Sequence, residues 1–187
     1  VERIWFTSDN HFGHKNIKNF CPNTRKGATV EEMDQLMIEM WQAQVAPEDR
    51  VYTLGDVFFC DAVRARSIMR QLPGQKHLIY GNHDKVIKSN KDLRDMFVAV
   101  HDYHVLRIDG VKVILFHYPI WEWDQLHRGS YHLFGHVHGN TTVPGRAVDV
   151  GIDGELSSGD MSLYSWERVN QHLSKKEVRT HHNKASM

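Results

Sequence analysis

Cysteine is scarce. Only Cys21 and Cys60 occur among 187 residues, too few for a disulfide framework, and nothing about them requires an oxidising compartment. Charge of either sign is not in excess. Lys and Arg together number 23, as do Asp and Glu, which leaves no net field to draw in DNA or an anionic membrane. A long nucleic-acid clamp is therefore not expected. No apolar run approaches the ~18 residues of a membrane span, and the opening VERIWFTSDN does not have the form of a signal peptide. A cytoplasmic protein is the expectation, with the absent initiator Met suggesting a processed start. Internal repeats, low-complexity stretches and linkers are also missing. The length suits one domain with a sizeable core, expected over 1–175, with a mobile tail over 176–187 that includes His181 and His182.

Histidine is plentiful. The chain carries 14, and at that density about one H-x-H pair is expected from composition alone. The stretch YHLFGHVHGN at 131–140 thus proves nothing until the rest of the chain supplies what a metal would still need.

Short apolar runs recur, each closing in Gly, Asp, Asn or His: 3–11, 50–56, 77–84, 111–119 and 131–139. They read as buried strands ending in turns. Two further strand candidates are 104–108, joined to the fourth run by a hairpin-like Asp109-Gly110, and 146–152. Between the early strands lie helix patterns. Thr29 with Glu32 forms a capping box, followed by Met33, Leu36, Met37, Met40 and Trp41 at helical spacing. A second helix is expected near 61–72, stopped by Pro73-Gly74, and a weaker one over 165–174. One α/β domain fits this order.

Loops beyond strand ends are where α/β sheets carry function. Here they hold Asp9 and His11, then Asp56, then Asn82, His83 and Asp84, then His117, then His136 and His138. Residues two apart in extended chain point to the same side, so each pair can converge while Asn10 and Val137 face elsewhere. Imidazole and carboxylate without thiolate suits Mn²⁺, Fe or Zn²⁺ in an open site, with Ni²⁺ a further candidate. The ligand count suits two ions sharing one carboxylate. Taken singly, each block has a plain structural reading: a cap at Asp9, a turn at Gly55-Asp56, a core histidine at His117. Five blocks, each at the end of a separate apolar run, argue for a shared site.

Read together, SDNH, LGD, YGNHD, LFHYP and FGHVH resemble the calcineurin-like metallophosphoesterase superfamily, in particular its small single-domain bacterial and phage branch. The resemblance spans 4–151. It implies a four-layer α/β fold, two mixed β-sheets packed as a sandwich with helices outside. It implies one divalent metal held by Asp9, His11 and His138, a second held by Asn82, His117 and His136, and Asp56 between them. It makes His83 the catalytic histidine that is not a ligand. Where protein phosphatases of the superfamily read GDxVDRG, this chain reads GDVFFCD. Phe59 and Cys60 replace the acid and the arginine, which weakens a protein phosphatase reading and leaves the orientation of His83 open. Asp84 is one candidate for that task; the other reading makes it a turn residue bonding its own backbone.

For the substrate, Tyr118, Trp121 and Trp123 follow a candidate ligand and either stack a nucleobase or pack the lid of the domain. His14 and Arg128 are further candidate phosphate contacts, as is Lys15 if it is not a plain surface residue. A small phosphodiester or nucleotide is the first expectation and a phosphomonoester the second. A nuclease or a non-catalytic scaffold of the same fold remain as alternatives.

Overall fold

Residues 2–180 are described by a computed structural model. Every strand anticipated from an apolar run is present, and those that precede the candidate ligands are shorter than their runs. Strands β1 (Ile4–Thr7), β2 (Arg50–Thr53), β3 (Gln75–Ile79) and β4 (Ala99–His101) are parallel, and β9 (Tyr164–Ser165) adds antiparallel to β1, giving the order β4-β3-β2-β1-β9. The second sheet has the order β5-β6-β7-β8, from β5 (Tyr103–Ile108), β6 (Val111–Phe116), β7 (Tyr131–Phe134) and β8 (Ala147–Asp149). Its first pair is antiparallel and the others parallel. Asp109 and Gly110, at φ of 50° and 80°, make the tight hairpin turn, whose twist matches that of the strands it joins. Both sheets are mixed and the domain is α/β.

Alternation along the strands builds the layers. Phe6, Tyr52 and Leu54 meet Val113, Leu115, Leu133 and Val148 in one buried cluster between the sheets. Their neighbours Trp5, Val51 and Leu78 turn to the opposite face. There they pack with Met33, Met37 and Trp41 of α2 (Val30–Gln44) and Ala65 and Ile68 of α3 (Ala62–Met69). The Thr29 hydroxyl caps α2 by accepting from the Glu32 N–H at 3.1 Å. Leu36, grouped by spacing with the apolar stripe, is 39% exposed. Met33, Met37 and Trp41 fix the buried face, and Leu36 falls on the other side of the helix. Helix α6 (Trp166–Leu173), capped by Ser165, closes the inter-sheet cluster with Trp166, Val169 and Leu173. Short helices α1 (Ile17–Phe20), α4 (Lys85–Ser89) and α5 (Lys91–Arg94) sit in connections. The outer face of the second sheet is covered by segment 118–130, whose Trp123 and Leu126 pack on Ile114 and Phe134.

The expected mobile tail divides. Lys176 donates to the Ala147 carbonyl at 2.9 Å, and Arg179 donates to the Trp121 carbonyl at 2.6 Å, so residues 176–180 are docked. The rest of that tail, with His181 and His182, lies outside the described residues. No helix among the described residues is long and apolar enough to cross a membrane.

His132 lies within β7, fully buried and locked neutral. Its Nε2 accepts from the Ile120 N–H at 3.0 Å, and its Nδ1–H donates to the Ile114 carbonyl at 3.2 Å. Burial pushes its pKa down to about 4. The unfolded chain takes up this proton near pH 6.5 and the folded one does not, so stability must fall as pH drops from 6.5 towards 4. The loss expected from this residue is about 3 kcal/mol. Denaturant titrations across that window should show a shallower decline for His132→Gln. An equal decline would mean that His132 titrates normally in the fold.

Candidate metal centre

The C-terminal ends of β1, β2, β3, β6 and β7 meet at one rim, and each ends one to three residues before a candidate ligand. The backbone there is not extended. Asp9, His11, Asp56, His136 and His138 have φ of 54°, 53°, 55°, 70° and 47°. The two pairs therefore converge by left-handed turns beyond the strands, and the strand alternation assumed for them does not apply. Asp9 N–H is anchored to the Gly55 carbonyl and His11 N–H to the Asp56 carbonyl, both at 3.0 Å. Asn10 does turn away, its amide donating to the Thr7 hydroxyl at 3.3 Å.

Two ligand groups result. Asp9, His11 and His138 offer ligand atoms within 4.8 Å of one another, and Asp56, His117 and His136 do the same. The groups abut through Asp56, whose Oδ2 is 3.9 Å from His11 Nε2 and 3.5 Å from His117 Nε2. Its other oxygen accepts the His83 N–H at 2.8 Å. Asn82 joins the second group, with Oδ1 3.0 Å from His117 Nε2. Glycines make room for the carboxylates. A Cβ on Gly81 would lie 2.2 Å from Asp56 Oδ1, and one on Gly135 2.3 Å from Asp9 Oδ2.

The donors fit divalent cations. Asp9 Oδ1 and both ring nitrogens of His11 are buried without a hydrogen-bond partner, a costly state that a cation relieves. Where partners exist, they aim the other nitrogen inward. His117 Nδ1–H donates to the Leu54 carbonyl at 2.6 Å, and His138 Nδ1–H donates to Asp153 Oδ2 at 2.9 Å, which frees each Nε2. Asp153 is in turn gripped by the buried Arg25, whose Nη2 donates to it at 2.7 Å and to the Asp9 carbonyl at 2.6 Å. Arg25 Nη1 donates to the Asn10 carbonyl at 2.7 Å. One guanidinium thus ties together the loops carrying Asp9 and His138.

The charges are arranged to match. Burial opposes ionisation of Asp9, but the His11 ring, with Nε2 3.6 Å from Oδ1, and the fields of His117 and His138 outweigh it and hold its pKa low. At Asp56 burial is likewise overcome, chiefly by His117. Burial keeps His11 and His136 below the usual histidine range. His138 is raised against its own burial by Asp153, which is itself held well below the carboxylate range against burial, chiefly by His138 and Arg25.

Asp84 does not orient His83. Its carboxylate accepts the N–H groups of Asp56 and Val57, each at 3.0 Å, and of Gly81 at 2.7 Å. It fixes two ligand loops to each other. The His83 ring packs instead on Phe59, centroids 4.7 Å apart, while Phe59 stacks on His11 at 4.6 Å and meets His14 edge-on at 4.3 Å. The residue replacing the phosphatase acid is thus a ring against which three histidines rest. His14 borders the same cleft, of about 260 Å³, as His11, Phe59, His83 and His138.

Of the substrate candidates after His117, Tyr118 stays at the rim, its ring 4.7 Å from that of His136. Trp123 does not. It is 5% exposed and donates to the Ser130 carbonyl and hydroxyl, so it packs the domain. Trp121 is 58% exposed, with Arg179 over one face, 4.5 Å from its ring centre. Arg128 precedes β7 and lies at the end of that strand opposite the ligands, ~13 Å away at ~3.3 Å per residue. Neither Arg128 nor Trp123 belongs to the site.

No family model matches the chain. Uncharacterized protein MJ1445 of Methanocaldococcus jannaschii is 32% identical over 142 residues, covering 75% of this chain and 72% of that protein. Gene 66 protein of Mycobacterium phage D29 is 31% identical over 183 residues, covering 82% of this chain and 89% of that protein. In structure, the protein of unknown function AQ665 from Aquifex aeolicus is similar with a TM-score of 0.71 at 24% identity, covering 92% of this chain and 100% of that one. The archaeal and phage proteins share most of their length with this chain, and the architecture recurs in full in the Aquifex protein. The chain belongs with these archaeal and phage proteins, and its two mixed sheets, with five sequence blocks meeting at their common rim, form the architecture that the resemblance to calcineurin-like metallophosphoesterases implies.

Proposed function

We propose that the chain is a divalent-metal-dependent phosphoesterase acting on a small phosphodiester or nucleotide. The observation that carries this reading is the pair of ligand groups abutting through the Asp56 carboxylate, with Asp9 Oδ1 and the His11 nitrogens buried and unpartnered beside it. Asp9, His11 and His138 would hold one ion, Asn82, His117 and His136 the other, and Asp56 both. Bound there, two ions (Mn²⁺ first; Fe, Zn²⁺ or Ni²⁺ as alternatives) would supply an acidified water and positive charge opposite the phosphate oxygens.

The chain's own groups do the rest. Asp153 and Leu54 set the tautomers of His138 and His117. Arg25 and Asp84 hold the ligand loops rigid. His83, tied through its backbone to Asp56, protonates the departing oxygen. The phosphorus–oxygen bond to the leaving group breaks and water supplies the replacing oxygen.

A phosphomonoester is the second reading, since nothing among the described residues caps the cleft to exclude one. Zero net charge disfavours a polymer nuclease. The complete ligand set and His83 disfavour a scaffold. Exhaustive chelation should abolish hydrolysis of bis(p-nitrophenyl) phosphate, with Mn²⁺ restoring it. A diesterase turns this ester over faster than p-nitrophenyl phosphate, a monoesterase slower, and a scaffold neither. Full activity in metal-stripped protein would end the proposal.

A further inference from the structure

Phe20, the last residue of α1, is 74% exposed, more than any other bulky apolar side chain among the described residues. It stands at the mouth of the ligand groups. Two adjoining grooves, of about 260 and about 200 Å³, share Phe20, Cys21, His138 and Asn140 as lining. The first runs past Phe59 and His83, the second past Asn23 and Asp153. Joined, they have the size of a small-molecule site, for which ~300–1,000 Å³ is usual.

Of the other rings near the rim, Phe59 rests on His11, Tyr118 meets His136, Trp121 has Arg179 over one face, and Trp123 is in the core. Among the described residues no ring or cation packs on Phe20. A phenyl face left in water beside a phosphate site lacks the apolar neighbour that would stabilise it. A planar group supplies one, and every nucleobase has such a face. The groove also offers a polar edge. The Asn140 amide donates to the carbonyls of Val137 at 3.1 Å and His138 at 3.3 Å. Its Oδ1 makes no hydrogen bond among the described residues and so can accept from an exocyclic amine.

The geometry points to Phe20 as the stacking platform for the base of a nucleoside leaving group. His83 lines the same groove, so the base lies on the flank where the leaving oxygen takes up its proton. Water adds to phosphorus as the nucleoside oxygen departs protonated, and free phosphate or a phosphomonoester remains. An aliphatic alcohol would use neither the ring nor the amide. For the chemistry this inference rests on the phosphoesterase reading; for binding it does not.

The test titrates adenosine 5′-monophosphate and ribose 5-phosphate into the Mn²⁺-loaded full chain and follows hydrolysis of both. The parent should bind the nucleotide at least about tenfold more tightly, ~1.4 kcal/mol, an ordinary yield for one stacked base. Phe20→Ala should lose most of that difference and Phe20→Trp keep it, with ribose 5-phosphate unchanged in both. If Phe20→Ala weakened both ligands equally, or neither, the platform would be refuted. A nucleotide preference without hydrolysis of any ester would remove the proposed activity and leave the platform standing. Hydrolysis without that preference would do the reverse.

Discussion

His83→Ala is expected to bind metal as the parent does and to lose roughly 10²–10⁴-fold in turnover, the span of a general acid. The His83 backbone N–H donates to Asp56 Oδ1, a bond that alanine keeps, and the ring stands off from that of His11 with centroids 6.3 Å apart. The side chain rests on Phe59, so its removal leaves the ligands where they are. The loss should grow with the basicity of the leaving oxygen. A p-nitrophenolate departs readily unprotonated, whereas a ribose or alkyl oxygen needs the proton, so activated esters should be spared. His136→Ala should instead deplete one ion and depress all esters alike. Metal analysis and a leaving-group series on the two variants separate the roles. Loss of metal from His83→Ala, or an equal slowing of all esters, would make His83 a ligand or a phosphate contact.

Asp56→Asn should be the most damaging change among the ligands. Its Oδ2 lies within 4 Å of a histidine from each group, so one lost charge weakens both positions. The deficit in turnover should exceed the ~10–100-fold typical of removing an outer partner of a metal ligand. A second readout guards against misfolding as the cause. In metal-free protein the ionised Asp56 is held against its burial chiefly by His117 and the His83 N–H, so the neutral amide should cost some stability. Metal-free Asp56→Asn should therefore still unfold in one cooperative transition, at a melting temperature modestly below that of the metal-free parent. A variant holding two ions with near-normal turnover would mean that Asp56 is not shared.

Much of this cluster was legible in the sequence because each candidate ligand follows an apolar run and strands place what lies beyond their ends. The runs before Asp9, Asp56, Asn82, His117 and His136 all became parallel strands meeting at one rim. The reason given for pairing Asp9 with His11 and His136 with His138 was nevertheless mistaken, since left-handed turns bring them together. Arg25 was not readable at all. It lies in an irregular segment, and its worth comes from contacts with Asp153, 128 residues away. Asp153 was within reach: it follows β8 as the ligands follow their strands, yet the run 146–152 was read only as a strand. β4 and β9 are three and two residues long; β9 carries no apolar run, and β4 uses only the end of the apolar stretch 96–100. Trp123 and Arg128 were misplaced because nearness in sequence to His117 was taken for nearness in space. The chain between them runs back down the sheet to begin β7.

The left-handed ligands bear on how such a protein ages in evolution. For residues other than glycine this conformation costs ~1–2 kcal/mol each, with Asp and Asn tolerating it best. Five ligand positions hold it here, three of them histidines. A lineage released from catalysis would thus find glycine or asparagine at the three histidine positions an improvement to folding, since either relieves backbone strain. Erosion of the centre is then downhill, and what it leaves is the same sandwich, sturdier and inert, with its rim free for other partners.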